Sequence, residues 1–299
     1  DVTITVPTEA NVGDTLNVKN PDGTTTTVEI TADIKTNGYK TSYDAPAEGG
    51  TITVSATITD KAGNTSAEGK DSAVLDTTAT PAPTVVITED ANNDGLISKA
   101  ELDGKVDVTI TVPTEANVGD TLNVTNPDGT TTTVEITADI KTSGYKTSYD
   151  APAEGGTITV SATITDKAGN TSLPGSDTAT LDTTATPAPT VVITEDANND
   201  GLISKAELDG KVDVTITVPT EANVGDTLNV TNPDGTTTTV EITADIKTSG
   251  YKTSYDAPAE GGTITVSATI TDKAGNTSLP GSDTATLDTT ATPAPTVVI

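Results

Sequence analysis

Thr157-Ile158-Thr159-Val160-Ser161-Ala162-Thr163-Ile164 places an apolar side chain at every second position and a hydroxyl or small residue between. Successive side chains of an extended strand point to opposite faces, so this run offers one face to a core and the other to water. Turn signals lie on either side of such runs. Asn126-Pro127-Asp128-Gly129 and Asp166-Lys167-Ala168-Gly169-Asn170 carry the Gly, Pro and Asx residues that tight hairpins need.

Working outward, seven strand-like runs follow one another: Thr84–Thr88, Lys105–Val112, Asp120–Thr125, Thr131–Thr137, Tyr145–Tyr149, Gly156–Thr165 and Asp177–Asp182. Seven short strands in roughly a hundred residues predict an immunoglobulin-like β-sandwich. The chain has no Cys and no Trp, so the disulfide and buried Trp of antibody domains are missing. Tyr145 and Tyr149, four apart on one strand, point the same way. Packing is the leading reading for them, and contact with a ligand the other.

The unit is repeated. Asp1-Val2-Thr3-Ile4-Thr5-Val6-Pro7 recurs at Asp107 and at Asp213. A spacing of this size suits a whole domain and is too long for a solenoid repeat. Copies two and three are identical. Copy one differs at positions such as Lys19 and Asn37, with most differences between Ala67 and Val74, which suggests an exposed hairpin. The stretches at 76–83, 182–189 and 288–295 are Pro/Thr-rich without alternation and read as stiff linkers. The expected fold class is therefore all-β, tandem immunoglobulin-like sandwiches in an extended rod. Residues 1–80 form a domain lacking its first strand, 81–186 and 187–292 are complete domains, and 293–299 is the first-strand stub of a further repeat.

Composition narrows the function. The chain has 299 residues, 44 Asp plus Glu, 15 basic residues that are all Lys, and a net charge of −29. Without His or Cys, neither the usual nucleophile systems nor the usual zinc sites can be built. Acidity without Arg argues against nucleic acid as a partner. No long apolar run predicts direct insertion into a membrane. Paired carboxylates could in principle catalyse, but six Tyr as the only aromatics make no cleft with sugar platforms. No enzyme is expected.

The chemistry lies in Asp90-Ala91-Asn92-Asn93-Asp94-Gly95-Leu96-Ile97-Ser98-Lys99-Ala100-Glu101, which recurs at 196–207. This run fits the calcium-loop pattern D-x-[DN]-x-[DN]-G-x5-E at each constrained position. Asp90, Asn92 and Asp94 offer side-chain oxygens, Gly95 permits the turn, and Leu96 offers its carbonyl. Ser98 binds through water and Glu101 closes the shell. The second loop supplies Asp196, Asn198, Asp200, Leu202, Ser204 and Glu207 in the same roles. The flanks are strand-like, with room for one helical turn at Ser98–Leu102, so a helix-pair sensor is not expected. If the strands alternate in direction, each calcium loop shares a pole with the outgoing linker and meets a hairpin of the next unit. Asp60, Asp76, Asp166, Asp182, Asp272 and Asp288 then become candidates for a metal between units, with ordinary turn chemistry as the alternative.

Asp-Ala-Asn-Asn-Asp-Gly-Leu-Ile-Ser (90–98), Thr-Asp-Lys-Ala-Gly-Asn-Thr-Ser (59–66) and Leu-Asp-Thr-Thr-Ala-Thr-Pro (75–81) together resemble the tandem bacterial immunoglobulin-like extender repeats, of RII type, of giant RTX adhesins. The resemblance spans all three copies. It implies type I secretion, an extracellular place at the bacterial surface, and calcium-rigidified repeats that hold a distal ligand-binding region away from the cell in biofilm or surface attachment. The Gly-Gly-x-Gly-x-Asp nonapeptides of such adhesins do not occur in this chain. The expected function is a structural spacer whose partners are its own neighbouring repeats, in a monomeric rod. The alternative is an adhesive module that itself binds carbohydrate or protein through the Tyr pair or a bound ion.

Overall fold

A computed structural model describes residues 1–298. In the second repeat, Thr84–Ile87, Lys105–Thr111 and Tyr145–Asp150 form an antiparallel sheet with Lys105–Thr111 in the middle. The facing sheet runs Thr131–Glu135, Thr121–Thr125, Thr157–Thr165, Gly175–Leu181 and the two-residue strand Leu96–Ile97. Two sheets with an apolar inner face each make a sandwich, because each face can leave water only against the other. Ile158, Val160, Ala162 and Ile164 are buried, whereas Thr157 and Thr159 are exposed. The third repeat has the same arrangement.

Each repeat keeps its own apolar cluster, drawn from residues 6–54, 85–181 and 191–287. The partly buried Tyr145 and Tyr149 pack against the second cluster, and the Tyr149 hydroxyl donates to Asn126 Oδ1 at 2.8 Å. The tyrosines complete the core. Leu173 is 79% exposed, in the hairpin segment where the first copy differs most from the others.

Two elements depart from the strand pattern. Ala138–Ser143 is a short helix, with Thr137 accepting from the Ile140 amide at its start and Gly144 (φ 74°) ending it. Leu96–Ile97 is a strand inside the calcium loop, paired in parallel with Thr180–Leu181. Strand termini otherwise shift by only a few residues. Of the expected stub 293–299, residues 293–298 are exposed and form no strand, since nothing pairs with them, and Ile299 lies outside the described residues.

The first repeat shows what the Thr84–Ile87 strand contributes. Val85 and Ile87 are buried in the second repeat. The first repeat starts at the position equivalent to Asp107, and a groove of about 730 Å³ runs between its sheets, lined by Val2, Ile4, Leu16, Val54 and Ala73. Ala73 is exposed there, whereas the equivalent Ala179 is 1% exposed. Burying a Val or Ile side chain stabilises by about 1.5–3 kcal/mol. This strand also leads straight into the calcium loop.

Candidate metal centre

The loop folds around its own carboxylates. Asp90 is 4% exposed and accepts from the Asp94 amide at 3.1 Å through Oδ1 and from the Gly95 amide at 2.8 Å through Oδ2. Asn92 Oδ1 accepts from the Asp94 amide at 3.0 Å, and Asp94 Oδ1 from the Leu96 amide at 2.9 Å. These bonds hold three side-chain oxygens around a turn that needs left-handed backbone at Asn93 (φ 56°) and Gly95 (φ 86°). Asn tolerates that region and Gly enters it freely. The second loop repeats the bonds at Asp196, Asn198 and Asp200.

Glu101 closes the far side. Its Oε2 accepts from the Ser98 amide at 2.9 Å and from the Ser98 hydroxyl at 2.8 Å. Burial pushes the Glu101 carboxyl up, but the two Ser98 bonds and the Asn92 and Ala91 amides outweigh it and hold the group below its ordinary value. Glu207 is lowered by the same donors, led by the Ser204 amide. Glu101 is thus kept ionised and close to the start of the loop. Glu89, which the motif does not include, is buried and accepts from the Asp103 amide at 2.5 Å, pinning the exit of the loop. Its only sequence signal is that it directly precedes Asp90.

The donors are all oxygen, a mix of carboxylate, amide, hydroxyl and carbonyl, which suits calcium and no softer ion. Among the described residues no three acidic side chains converge as a finished cage. The loop motif has only three acids, Asp90, Asp94 and Glu101, with Asn92, Ser98 and the Leu96 carbonyl as its other donors.

The loop is wired to the linker. The Thr180 amide donates to Gly95 O at 2.9 Å, and the Asp182 amide to Ile97 O at 3.0 Å. Glu154, also outside the motif, accepts from the Thr183 amide at 3.0 Å and the Thr184 amide at 3.1 Å, fixing the start of the linker.

The six junction candidates separate into groups. Asp182 and Asp272 are brought together between repeats two and three: burial, then the charges of Asp272 and Glu154, push the Asp182 carboxyl above its ordinary value. Asp76 and Asp166 are linked between repeats one and two through Asn170, whose Nδ2 donates to Asp76 O at 3.1 Å and Asp166 Oδ2 at 2.9 Å. Asp60 caps its own hairpin, accepting from the Ala62 and Asn64 amides, and the Asn64 bonds hold its carboxyl low. Asp288 pairs with Ser204 at the end of its strand. Asp60, in the hairpin of the first repeat, and Asp288, at the end of the last strand, have no repeat facing them among the described residues.

Fold and loop together define a class: tandem immunoglobulin-like sandwiches, each complete one with a calcium loop inserted after its first strand. A bacterial Ig-like domain family model matches residues 14–77, 110–183 and 215–289. The chain belongs to this bacterial Ig-like domain family. An EF-hand family model matches 90–108 and 196–214, so calcium is the ion that these loops take. Neither family is a catalytic one.

Solved structures similar to the chain include a Ca2+-stabilized adhesin that helps an Antarctic bacterium reach out and bind ice. It is 25% identical, with TM-score 0.39, over 94% of this chain and 67% of that one. The fibronectin(III)-like modules of Clostridium thermocellum CbhA are 14% identical, with TM-score 0.40, over 69% of this chain and 94% of that one. The FN1–FN3 domains of chicken CNTN1 are 10% identical, with TM-score 0.35, over 92% and 88%. No curated protein matches the chain.

Proposed function

We propose that the chain is a spacer of a bacterial surface adhesin, in which calcium stiffens tandem sandwiches that carry a distal ligand-binding region outward. The observation that carries this reading is the bond from the Asp182 amide to Ile97 O, which ties the calcium loop to the residue where the linker begins. An ion that orders the loop then orders the linker. The proposed units are 1–80, 81–186 and 187–292, each partnered by its neighbours in the same chain. The near-identity of the copies supports a role in length, since a spacer needs number and reach more than distinct surfaces. Export by type I secretion to the cell surface, and attachment or biofilm formation by the parent protein, are part of the same proposal.

The ion set of the reading is Asp90, Asn92, Asp94, Leu96, Ser98 and Glu101, with the matching six residues at 196–207. A second cation beside Asp182 and Asp272 would relieve the repulsion between their carboxylates. No helix among the described residues is long and apolar enough to cross a membrane.

A ten-residue strand spans about 34 Å, and with loops and linker each unit adds roughly 40 Å. Chains with one repeat more or fewer test this by scattering in calcium. The maximum dimension should change by about 40 Å per repeat. A dimension that does not grow with repeat number contradicts a spacer.

A further inference from the structure

The hairpin Asp272–Asn276 of the third repeat faces a calcium loop in the repeat before it, whereas its equivalent in the second repeat faces the first repeat, which has none in this sequence. Asn276 Nδ2 donates to Asp182 O at 2.7 Å, as Asn170 does to Asp76 O in the preceding junction. In addition, Asn276 Oδ1 accepts from the Lys99 amide at 3.0 Å, two residues before Glu101 at the end of the calcium loop. Asn276 is 6% exposed and Ala274 5%, whereas Asn170 is half-buried and Ala168 exposed. Ser98 is 4% exposed in the second repeat, and the equivalent Ser204 is only half-buried.

These bonds close a ring. The Asp182 amide binds Ile97 O inside the loop, the Asp182 carbonyl binds Asn276 Nδ2, and Asn276 Oδ1 returns to Lys99 at the loop exit. Asn can do this because its side chain carries a donor and an acceptor on one rigid amide. Asp lacks the donor at neutral pH, and Ser or Thr cannot span both partners at once. The hairpin presents the amide rigidly, because the Asn276 backbone amide donates to Asp272 Oδ1 at 2.8 Å and the Asp272 amide to Asn276 O at 3.0 Å.

The geometry points to Asn276 as a latch that clamps the third repeat onto both the calcium loop and the linker of the second. Loop order is thereby transmitted to the angle between the two repeats. Asn170 makes the linker half of the same contact, the first repeat having no counterpart of Lys99 in this sequence. This inference rests on the proposed calcium-stiffened spacer and adds the residue through which one repeat senses the loop of its neighbour.

The test uses the full chain, which has no Cys of its own. Spin labels at Lys146→Cys and Lys252→Cys, both exposed, report the distance between repeats two and three. In calcium, Asn276→Ala should broaden the distance distribution about twofold, as expected where a small interface loses its anchor. Calcium titration should leave both loops occupied, and the melt should show folded sandwiches.

Asn276→Asp keeps the acceptor for Lys99 and the backbone bonds of the hairpin but loses the donor to Asp182 O and to the Asp272 carboxylate, and sets a third carboxylate beside Asp182 and Asp272. It should broaden the distribution in calcium as well. Either variant giving the parent's width overturns the latch. A parent distribution that is the same in calcium and in chelator would overturn calcium stiffening instead, and the comparison of variant with parent in calcium still decides the latch.

Discussion

At the residue scale, the Asp90 carboxylate accepts the Asp94 and Gly95 amides, and in the proposed ion set it is also the first ligand. Asp90→Ala should therefore reduce calcium binding from two loops to one by titration calorimetry. It should also destabilise the second repeat by about 1–2 kcal/mol in chelator, because the Gly95 amide loses its acceptor and the Asp94 amide keeps only Asn92 Oδ1. A variant that still fills both loops contradicts the assigned role. Gly175 makes a second prediction. A Cβ there would sit 1.8 Å from Pro83 O, whereas at Gly69 the nearest atom is Ala56 O at 3.9 Å. Gly175→Ala should cost about 1–3 kcal/mol by displacing the strand that feeds the loop, and Gly69→Ala should be nearly neutral in denaturant melts. Equal effects at the two sites would contradict this packing.

Residue-level chemistry was also the most legible part of the sequence. Each position of the loop motif has a local role, so spacing alone is enough to propose Asp90 through Glu101 as a calcium loop, and alternation alone named the buried Ile158, Val160, Ala162 and Ile164. The junction contacts could not be read that way. Lys99 and Asn276 are 177 residues apart, and an Ala-Gly-Asn hairpin looks the same whether or not its Asn reaches a neighbour. Glu89 and Glu154 act on backbone amides, which leave no trace in side-chain pattern.

At the scale of elements, the sandwich follows from alternation, and its departures follow from length. A six-residue helix is too short to show a 3.6-residue period, so only Thr137 and Gly144 mark Ala138–Ser143. The Leu96–Ile97 strand is hidden inside a motif whose ligands dominate its reading. In the proposed reading it is nonetheless the element that couples ion to linker, through its pairing with Thr180–Leu181.

The linker start depends on ionised Glu154, which burial pushes up but the Thr183 and Thr184 bonds hold below its ordinary value. The unfolded carboxyl titrates near 4.3, so this anchor contributes its full share of stability above about that pH. It is lost as pH falls through the lower folded value. The Thr183 and Thr184 amide resonances should shift with a midpoint below about 4.3. A midpoint above it would contradict the anchor.

For the whole molecule, charge is the organising quantity. The repeat from Asp107 to Val212 carries 16 acids and 5 Lys, a net of −11, and its calcium loop concentrates several of those charges. Each divalent ion removes two of them and binds the folded state alone. Modules of this kind bind calcium at about 10⁻⁴–10⁻³ M, so millimolar calcium stabilises each loop by about 0.4–1.4 kcal/mol. That is modest against the stability of a sandwich, and in the proposed spacer the effect of the ion falls at the junctions. Small-angle scattering of the 299-residue chain in millimolar calcium and again in excess chelator measures this directly. The account predicts an extended rod in calcium and a shorter, more broadly distributed ensemble in chelator, with the sandwiches still folded; the same maximum dimension and flexibility in both would contradict it.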